Sequence, residues 1–483
     1  MGTAKGIYKN TLYLGTAEIV SKVLQFVVML YAARLLSKEH FGKFSFALSL
    51  SFIAIVLADM GINTFLIREI SRGKQNKGLV DKYFSNAAAI KLILCTITYI
   101  GIELALYLMQ YPNDTKQIVR VVWAFSILST FTDLFYSIFR SFEKMHYDAS
   151  AKILRMVLLT ACALYVLFKD YGVIAFSLAF FAVELVVIIV CGYLAFGRFI
   201  GYGAIKSPKL SFQFMKSIFN KALPFGLAIV FGSIYFYIGS VMLSKIRGDE
   251  EVAIYSVAYN IALAILFIPT VYTNAIYPVL SRYFKESREK LVTLYERSFK
   301  YLYIIGLPIS IGLYLLADRI IFFFYGGSYF GAIIALQIIS WYLFIKFLNF
   351  LLGTVLSSID RQNHRMLGQG LTAVFNIALN LVLIPKIGFI GAAWATFITE
   401  IFLFAIYYWY VSRGLVSYNF LRVLAKPAMA AAAMLLFIKF TSFGLVLTVL
   451  FSTLVYFLAL FALKTLDEVD YGIFRSIFSS KKT

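Results

Sequence analysis

Long apolar runs separated by short polar turns extend along the whole chain and restrict its fold more than any other feature. The runs reach or exceed the roughly 20 residues that a helix needs to cross a bilayer, and they lack the alternating pattern of a membrane barrel. Of the 483 residues 61% are hydrophobic and only 14% are charged, too few polar residues for the surface of a soluble protein. The sequence therefore predicts an all-α, polytopic membrane protein.

The distribution of Lys and Arg predicts how the chain is oriented. Hydropathy gives fourteen predicted transmembrane helices. About two-thirds of the 45 Lys and Arg residues lie at the two ends of the chain and in the connections that follow even-numbered spans. The first apolar run carries Glu18 and Lys22 and is too long for a cleaved signal, so we expect it to stay as the first span. We expect a multi-pass protein of the cell (cytoplasmic) membrane with both termini in the cytoplasm.

An internal repeat predicts how these spans are organised. The segment FGKFSFA at 41–47 is similar to VAIYSVA at 252–258, and SFEK at 141–144 is similar to SIDR at 358–361. In the same way Gly172 and Glu184 match Gly388 and Glu400. Such a duplication predicts two pseudo-symmetric six-helix bundles, at 1–200 and 217–414, joined by a cytoplasmic linker at 201–216. Residues 415–483 would form two extra transmembrane helices and a cytoplasmic tail.

Several classes of function are disfavoured by the same sequence. The predicted outer connections are only a few residues long and cannot hold an enzyme domain, and the chain has no P-loop pattern. The three Cys lie inside apolar runs and the three His lie in different turns, so no metal-ligand spacing is present. The net charge of +21 is spread over loops without a nucleic-acid motif. We therefore predict no catalytic residues, metal, cofactor or nucleic-acid partner, and attribute the charge to topology and to anionic lipid.

Polar and charged positions recur on single faces of the predicted spans. Glu18, Lys22 and Gln25 share one face of the first span. Because a charge inside a bilayer costs several kcal/mol unless it is solvated or paired, repeated polar faces indicate a shared wet interior. The alternative is that these charges only hold helices together. Candidate pairs of that kind are Glu18 with Lys22, and Asp59 or Asp133 with Lys91 or Arg155. For Glu184 and Glu400 the alternative is one interhelical hydrogen bond made twice.

Several motifs together resemble a known family of transporters. They are ARLLSKEHFGKFSFALSL at 33–50, Asp59-x-Gly61 leading to Arg68-Glu69, LPFG at 223–226, and GLPISIGLYLLADRIIFFFYGGSY at 306–329. Over essentially the whole chain the sequence resembles the polysaccharide transporters, or Wzx-type flippases. Their superfamily also contains the multidrug-and-toxin extruders and the MurJ-type lipid II flippases. Many relatives carry an acidic residue where this chain has YIGS at 237–240, so that residue is not carried over.

The resemblance implies a function and a set of site residues. It implies alternating-access transport of a lipid-linked oligosaccharide, a polyprenyl or dolichyl phosphate or diphosphate carrying sugars, for cell-surface polysaccharide or glycoprotein biosynthesis. Cations in the spans would bind the phosphate and amides would bind sugars. The candidate substrate-binding residues are Lys22, Lys91, Arg155, Lys346, Asn63, Asn349 and Asn376. The candidates for ion coupling are Glu18, Asp59, Asp133, Glu184 and Glu400.

The same resemblance leaves partners and alternatives open. The expected partners are the lipid-linked oligosaccharide, membrane lipids, and glycosyltransferases or a polymerase of the same pathway. An ion-coupled multidrug or cation antiporter is the alternative transporter. A membrane scaffold or ligase of a glycan assembly machinery is the alternative from another class, and the short outer loops disfavour it.

Overall fold

A computed structural model describes residues 2–73, 75–201, 204, 208–415, 421–465, 467 and 470, with the side chains of these residues from 13 onward except at 228 and 421–423. The predicted linker at 201–216 and the cytoplasmic tail fall partly outside these residues. Regular structure within the described ranges is helical throughout. In chain order the helices are α1 Gly2–Leu35, α2 Lys38–Asp59, α3 Ile62–Gly73, α4 Lys77–Leu108, α5 Asn113–Ser141, α6 Met145–Phe168, α7 Gly172–Arg198, α8 Phe212–Arg247, α9 Asp249–Ile265, α10 Phe267–Glu286, α11 Arg288–Leu315, α12 Ala317–Tyr325, α13 Ala332–Ser358, α14 Gln362–Gly414, α15 Leu421–Phe440 and α16 Leu445–Ala462.

The helices agree with the predicted number of spans. Within the described ranges, 12 helical segments are long and apolar enough to cross a membrane. One of them, the 53-residue helix α14, is interrupted at Ile387 and Gly388, whose backbone angles are not helical. Counting its two arms separately and adding the 20-residue α15 gives fourteen spans. The prediction of an all-α, polytopic membrane protein is confirmed.

The repeat is visible in the backbone as well as in the sequence. Glu143 and Asp360, which match in the repeat, both have positive φ, at 60° and 59°. Gly172 and Gly388 match in the same way and have φ of 79° and 57°. Left-handed backbone is uncommon outside turns, so the same turn recurs at corresponding places in the two halves.

Contacts divide the described residues into two compact units. The first contains Met1–Phe267 and Arg365–Thr396, and the second contains Ile268–His364 and Phe397–Thr483. This grouping differs from the predicted bundle boundaries, which stay a prediction about the repeat.

In the first unit, α2 is the helix on which the others pack. Its start is capped by Ser37, whose side chain accepts a hydrogen bond from the backbone N–H of His40 at 3.2 Å. One turn later Lys43 is buried and bonded to Asp114 at the start of α5. Gly42 packs against the first residue of α9 so closely that a Cβ there would lie 1.8 Å from the carbonyl oxygen of Asp249. Glycine is therefore required at this contact.

In the second unit, a buried carboxylate after the last span ties the chain back to α11. Asp470 is fully buried and accepts hydrogen bonds from Lys300 Nζ at 2.5 Å, the Tyr301 hydroxyl at 2.6 Å and Arg297 Nη1 at 2.7 Å. Burial by itself raises the pKa of this carboxyl, but the hydrogen bonds from Lys300 and Tyr301 outweigh it and lower the pKa to about 2. Asp470 is therefore ionised at neutral pH.

Candidate functional site

A cavity of about 370 Å³ lies among α1, α2, α5, α6 and α7 of the first unit. Aromatic rings of Phe52, Phe125 and Phe180 form part of its apolar wall. Its charged side chains come from four helices and include six groups of both signs: Glu18, Lys22, Asp133, Lys152, Arg155 and Glu184. The cavity therefore has both apolar and charged lining residues, an arrangement suited to an amphiphilic ligand.

Helical spacing explains why these residues meet. Glu18 and Lys22 are four residues apart on α1, and Lys152 and Arg155 are three apart on α6, so each pair shares one helix face. Because α1 and α6 pack against each other, both faces border the same cavity. The structure thus joins five of the residues predicted from the sequence, namely Glu18, Lys22, Asp133, Arg155 and Glu184.

Lys22 and Arg155 are not equally available to a ligand in this cavity. No ion pair within 4.0 Å involves Lys22 in the described part of the chain, although Glu18 lies one turn away. Arg155 Nη1 lies 3.6 Å from Glu184 Oε2, which is close enough for an ion pair but too long for a good hydrogen bond. Neither oxygen of the buried Glu184 accepts a hydrogen bond of ordinary geometry from the described residues. Lys22 is free and Arg155 is loosely held.

Lys152 also lines the cavity, although it is not among the site residues predicted from the sequence. The Lys152 ammonium lies 3.4 Å from Asp148, which is fully buried and also bonded to Arg140 at 2.6 Å. The signal in the sequence is its position one turn before Arg155, on the same face of α6.

Lys91 and Asp59, two further predicted residues, form a buried pair away from the cavity lining. Lys91 Nζ is 2.7 Å from Asp59 Oδ1 and donates to the carbonyl oxygen of Thr130 at 3.0 Å. Lys91 is fully buried, while Asp59 belongs to the last turn of α2. This geometry ties α2, α4 and α5 together, as in the packing interpretation of these charges.

Lys346 and Asn349 in the second unit both contact Glu400. Asn349 Nδ2 donates to Glu400 Oε1 at 2.6 Å, and Lys346 Nζ donates to Glu400 Oε2 at 3.2 Å. Glu400 is fully buried. Three candidate site residues therefore meet here, and both oxygens of the Glu400 carboxylate accept hydrogen bonds from the other two.

The two remaining candidate amides lie apart from the charged cavity. Asn376 is buried in the first arm of α14 and accepts a hydrogen bond from Asn380 at 2.8 Å. Asn63 lies in the first turn of α3, where its buried side-chain oxygen has no hydrogen-bond partner among the described residues. A role for either amide in sugar binding stays a prediction.

A second cavity, of about 360 Å³, lies in the second unit among α11, α15 and α16. Its wall is mostly aliphatic and aromatic, with residues such as Ile305, Pro308 and Phe457. The hydroxyl of Tyr456, one of the polar groups there, donates a hydrogen bond to the carbonyl oxygen of Ile304 at 2.8 Å. Its chemistry suits a hydrocarbon chain.

Comparisons with known proteins agree with this architecture. The sequence model described as "Polysaccharide biosynthesis protein" matches residues 7–284. The chain belongs to this family. A second family model, MatE, matches residues 224–382. Both matches fall on helical, membrane-spanning segments.

Individual relatives are distant but cover most of the chain. The chain is 26% identical to a "Putative O-antigen transporter" of Escherichia coli over 70% of this chain and 81% of that protein. It is 22% identical to the "Probable low-salt glycan biosynthesis flippase Agl15" of Haloferax volcanii over 80% of each. Among solved structures, the lipid II flippase MurJ in an inward closed conformation superposes with a TM-score of 0.76 at 17% identity, covering 93% of this chain and 97% of MurJ. At that identity MurJ shows the fold alone, and it belongs to the superfamily whose fold the resemblance implied.

Proposed function

We propose that this protein is a flippase that moves a lipid-linked oligosaccharide across the cytoplasmic membrane by alternating access. The observation that carries the proposal is the cavity in which Lys22, Lys152 and Arg155 meet beside an aromatic wall. Cations held in an apolar span are costly, and a lipid phosphate or diphosphate is the ligand class that repays that cost. Membership of the polysaccharide biosynthesis family and relatives named as glycan transporters support the same cargo.

The sugars of the cargo have a matching surface in the chain. Phe52, Phe125 and Phe180 present rings against which sugar faces can pack. Such a step requires membrane lipids and the enzymes that build or polymerise the glycan as partners. We propose that both termini lie on the cytoplasmic side, where the enzymes that build the glycan deliver the cargo.

Transport in vesicles tests the proposal. The full chain is reconstituted with a polyprenyl-diphosphate oligosaccharide, and sugar reaching the opposite leaflet is measured with a membrane-impermeant glycosidase. We expect Lys22→Gln and Arg155→Gln each to slow transport by roughly ten- to a hundredfold, because each removes a charge-assisted contact of about 1.5–3 kcal/mol. Arg155→Lys should keep part of the activity, since the charge remains but the planar fork is lost.

Controls separate loss of function from loss of fold. Lys169→Gln removes a cation from an exposed turn outside the cavity and should leave transport unchanged. Every variant is checked for insertion and for a monodisperse profile in detergent. Unchanged transport in the Lys22→Gln/Arg155→Gln double variant would refute the proposal.

A drug or cation antiporter is the second candidate, because three carboxylates, Glu18, Asp133 and Glu184, line the same cavity. The match of the MatE model is a further reason to test it. Ethidium efflux from the same vesicles that is abolished by Asp133→Asn and unaffected by added glycolipid would favour this candidate.

A further inference from the structure

The charges that line the cavity of the first unit are balanced. Three are cationic, Lys22, Lys152 and Arg155, and three are carboxylates, Glu18, Asp133 and Glu184. With every group ionised the cavity has no formal net charge, so its attraction for a phosphate is weak at long range. Neutralising one carboxylate would leave a net positive site.

We propose that Glu184 and the phosphate of the cargo compete for Arg155, so that phosphate binding is coupled to uptake of one proton by Glu184. The inference rests on the function proposed above and adds a control on the same site. In the resting state Glu184 holds Arg155 as an ion pair. In the loaded state the phosphate holds Arg155, and Glu184 is a neutral carboxylic acid.

The geometry of the pair is that of a contact easily exchanged. The 3.6 Å separation between Arg155 Nη1 and Glu184 Oε2 leaves both ends without a good mutual hydrogen bond. Thr132, the hydroxyl beside Glu184, donates to the carbonyl oxygen of Leu128 at 3.0 Å. Both side-chain oxygens of Glu184 are buried and accept no hydrogen bond of ordinary geometry from the described residues. The residue nevertheless lines the cavity. A phosphate offers Arg155 a bidentate partner that Glu184 does not provide here.

The equivalent glutamate of the second half shows the opposite arrangement. Glu400 matches Glu184 in the repeat and accepts from Asn349 at 2.6 Å and from Lys346 at 3.2 Å. In the register that matches Ser141 with Ser358, the position of Asn349 is occupied in the first half by Thr132. The first half therefore lacks the amide donor that fixes the carboxylate in the second half. The hydrogen bonds of Glu400 and the position of the buried Glu184 beside the cavity give the two glutamates different roles.

Proton uptake follows from removing the arginine. A charged carboxylate left alone in a membrane interior is strongly unfavourable. The other titratable and charged groups facing Glu184 are Asp133 and Tyr136 on α5, Lys152 on α6, Glu18 and Lys22 on α1, and Cys191 on its own helix. The face that α2 presents to the cavity, Leu48, Phe52 and Ile55, carries no charge. The step is balanced by one proton added to the Glu184 carboxylate for each phosphate that takes its place on Arg155.

Ligand binding by the full chain in detergent tests the competition. The probe is farnesyl diphosphate, and farnesol serves as its uncharged counterpart. The dissociation constants of wild type and Glu184→Gln are compared from about pH 5.5 to about pH 8.5, and titration of the ligand itself cancels in their ratio. We expect Glu184→Gln to bind more tightly at high pH, with the advantage shrinking towards one at low pH by up to about tenfold per pH unit. Calorimetry in buffers of different ionisation enthalpy should show proton uptake for wild type and none for Glu184→Gln.

Two further variants make the result specific. Glu103→Gln alters an Arg–Glu pair outside the cavity, where Arg120 Nε lies 2.8 Å from Glu103, and should behave like wild type at every pH. Arg155→Gln/Glu184→Gln removes both partners without leaving a lone charge and should bind weakly, with no proton uptake. Folding of each variant is checked by its elution profile.

The outcomes distinguish this inference from the function on which it rests. A wild type that binds farnesyl diphosphate with a ratio to Glu184→Gln that is constant across the pH range would overturn the competition and leave the flippase standing. Weaker binding by Glu184→Gln would overturn the competition and show that Glu184 holds Arg155 in place for the phosphate. Loss of the pH dependence in Asp133→Asn alone would show that Asp133, and not Glu184, takes up the proton. If the dissociation constant depended on the Na⁺ concentration and not on pH, the proposed uptake of a proton would be overturned. If neither wild type nor the variants bind the probe, the phosphate-binding function fails together with the competition.

Discussion

The buried cluster around Glu400 gives a stability prediction whose size can be worked from its contacts. Lys346→Met removes the ammonium that lies 3.2 Å from Glu400 and leaves the carboxylate with Asn349 as its donor. Removing one partner of a buried pair costs about 3–5 kcal/mol. Because the Asn349 bond remains, we expect a loss at the lower end, near 3 kcal/mol. Lys346→Met/Glu400→Gln removes both charges and should recover most of it, so the double-mutant coupling should be about 2 kcal/mol.

The assay is the fraction of protein that stays monodisperse in detergent after heating, measured for the four members of the cycle. The matched control is the same cycle on Arg120 and Glu103, whose side chains are 51% and 26% exposed and whose coupling should fall within about 0–1 kcal/mol. Additive losses at Lys346 and Glu400, with coupling no larger than in the control cycle, would refute the assignment of this cluster to stability.

Three further predictions concern other parts of the chain. Gly42→Ala places a Cβ about where the carbonyl oxygen of Asp249 lies, so it should force α2 and α9 apart and lower both thermal stability and transport; normal transport would show that this contact opens freely. Asp470→Asn should lower stability at neutral pH. Since the pKa of Asp470 is depressed to about 2, the difference from wild type should persist above about pH 4 and vanish as pH falls towards the folded value; a difference independent of pH would exclude the charge as its cause. In a cysteine-free background, Lys169→Cys should react with an impermeant maleimide on intact cells and Lys144→Cys only after permeabilisation, and the reverse result would invert the proposed topology.

The membrane spans and their number could be predicted from the sequence, because membrane-spanning helices are specified by local composition and length. The repeat could also be predicted, and the matched residues Gly172 and Gly388 both have positive φ in the structure. The two arms of α14 are separated only by the kink at Ile387 and Gly388, which hydropathy alone cannot distinguish from a loop. That the spans belong to one family of transporters follows from motifs spread over the chain.

The partners of the charges were harder to predict, because partner choice depends on which helices pack together. Arg155 was matched with Asp59 or Asp133 as one possibility, but it lies against Glu184 on a helix that packs beside its own. Glu18 and Lys22 are one turn apart on α1, yet they form no ion pair among the described contacts. A pair at that spacing is worth only about 0.2–0.5 kcal/mol, less than what hydration in a cavity offers either group. The roles of these residues in transport stay predictions.

Duplication offers a reason why the same glutamate has two environments. A carboxylate inherited at one position in both halves is an expensive group in each, so each half must either satisfy it or use it. In the second half Asn349 and Lys346 each donate a hydrogen bond to Glu400, and these bonds hold the three side chains together. In the first half the Thr132 hydroxyl donates to the carbonyl oxygen of Leu128 in its own helix, and the ion-pair partner of Glu184 among the described residues is Arg155 at 3.6 Å, at the edge of a cavity. Transferring the amide to the first half by Thr132→Asn should therefore hold Glu184 as Glu400 is held, release Arg155 from it, and raise the affinity for farnesyl diphosphate at high pH without removing any charge. If Thr132→Asn leaves both the affinity and its pH dependence unchanged in a folded protein, the difference between the two glutamates has another origin than this donor.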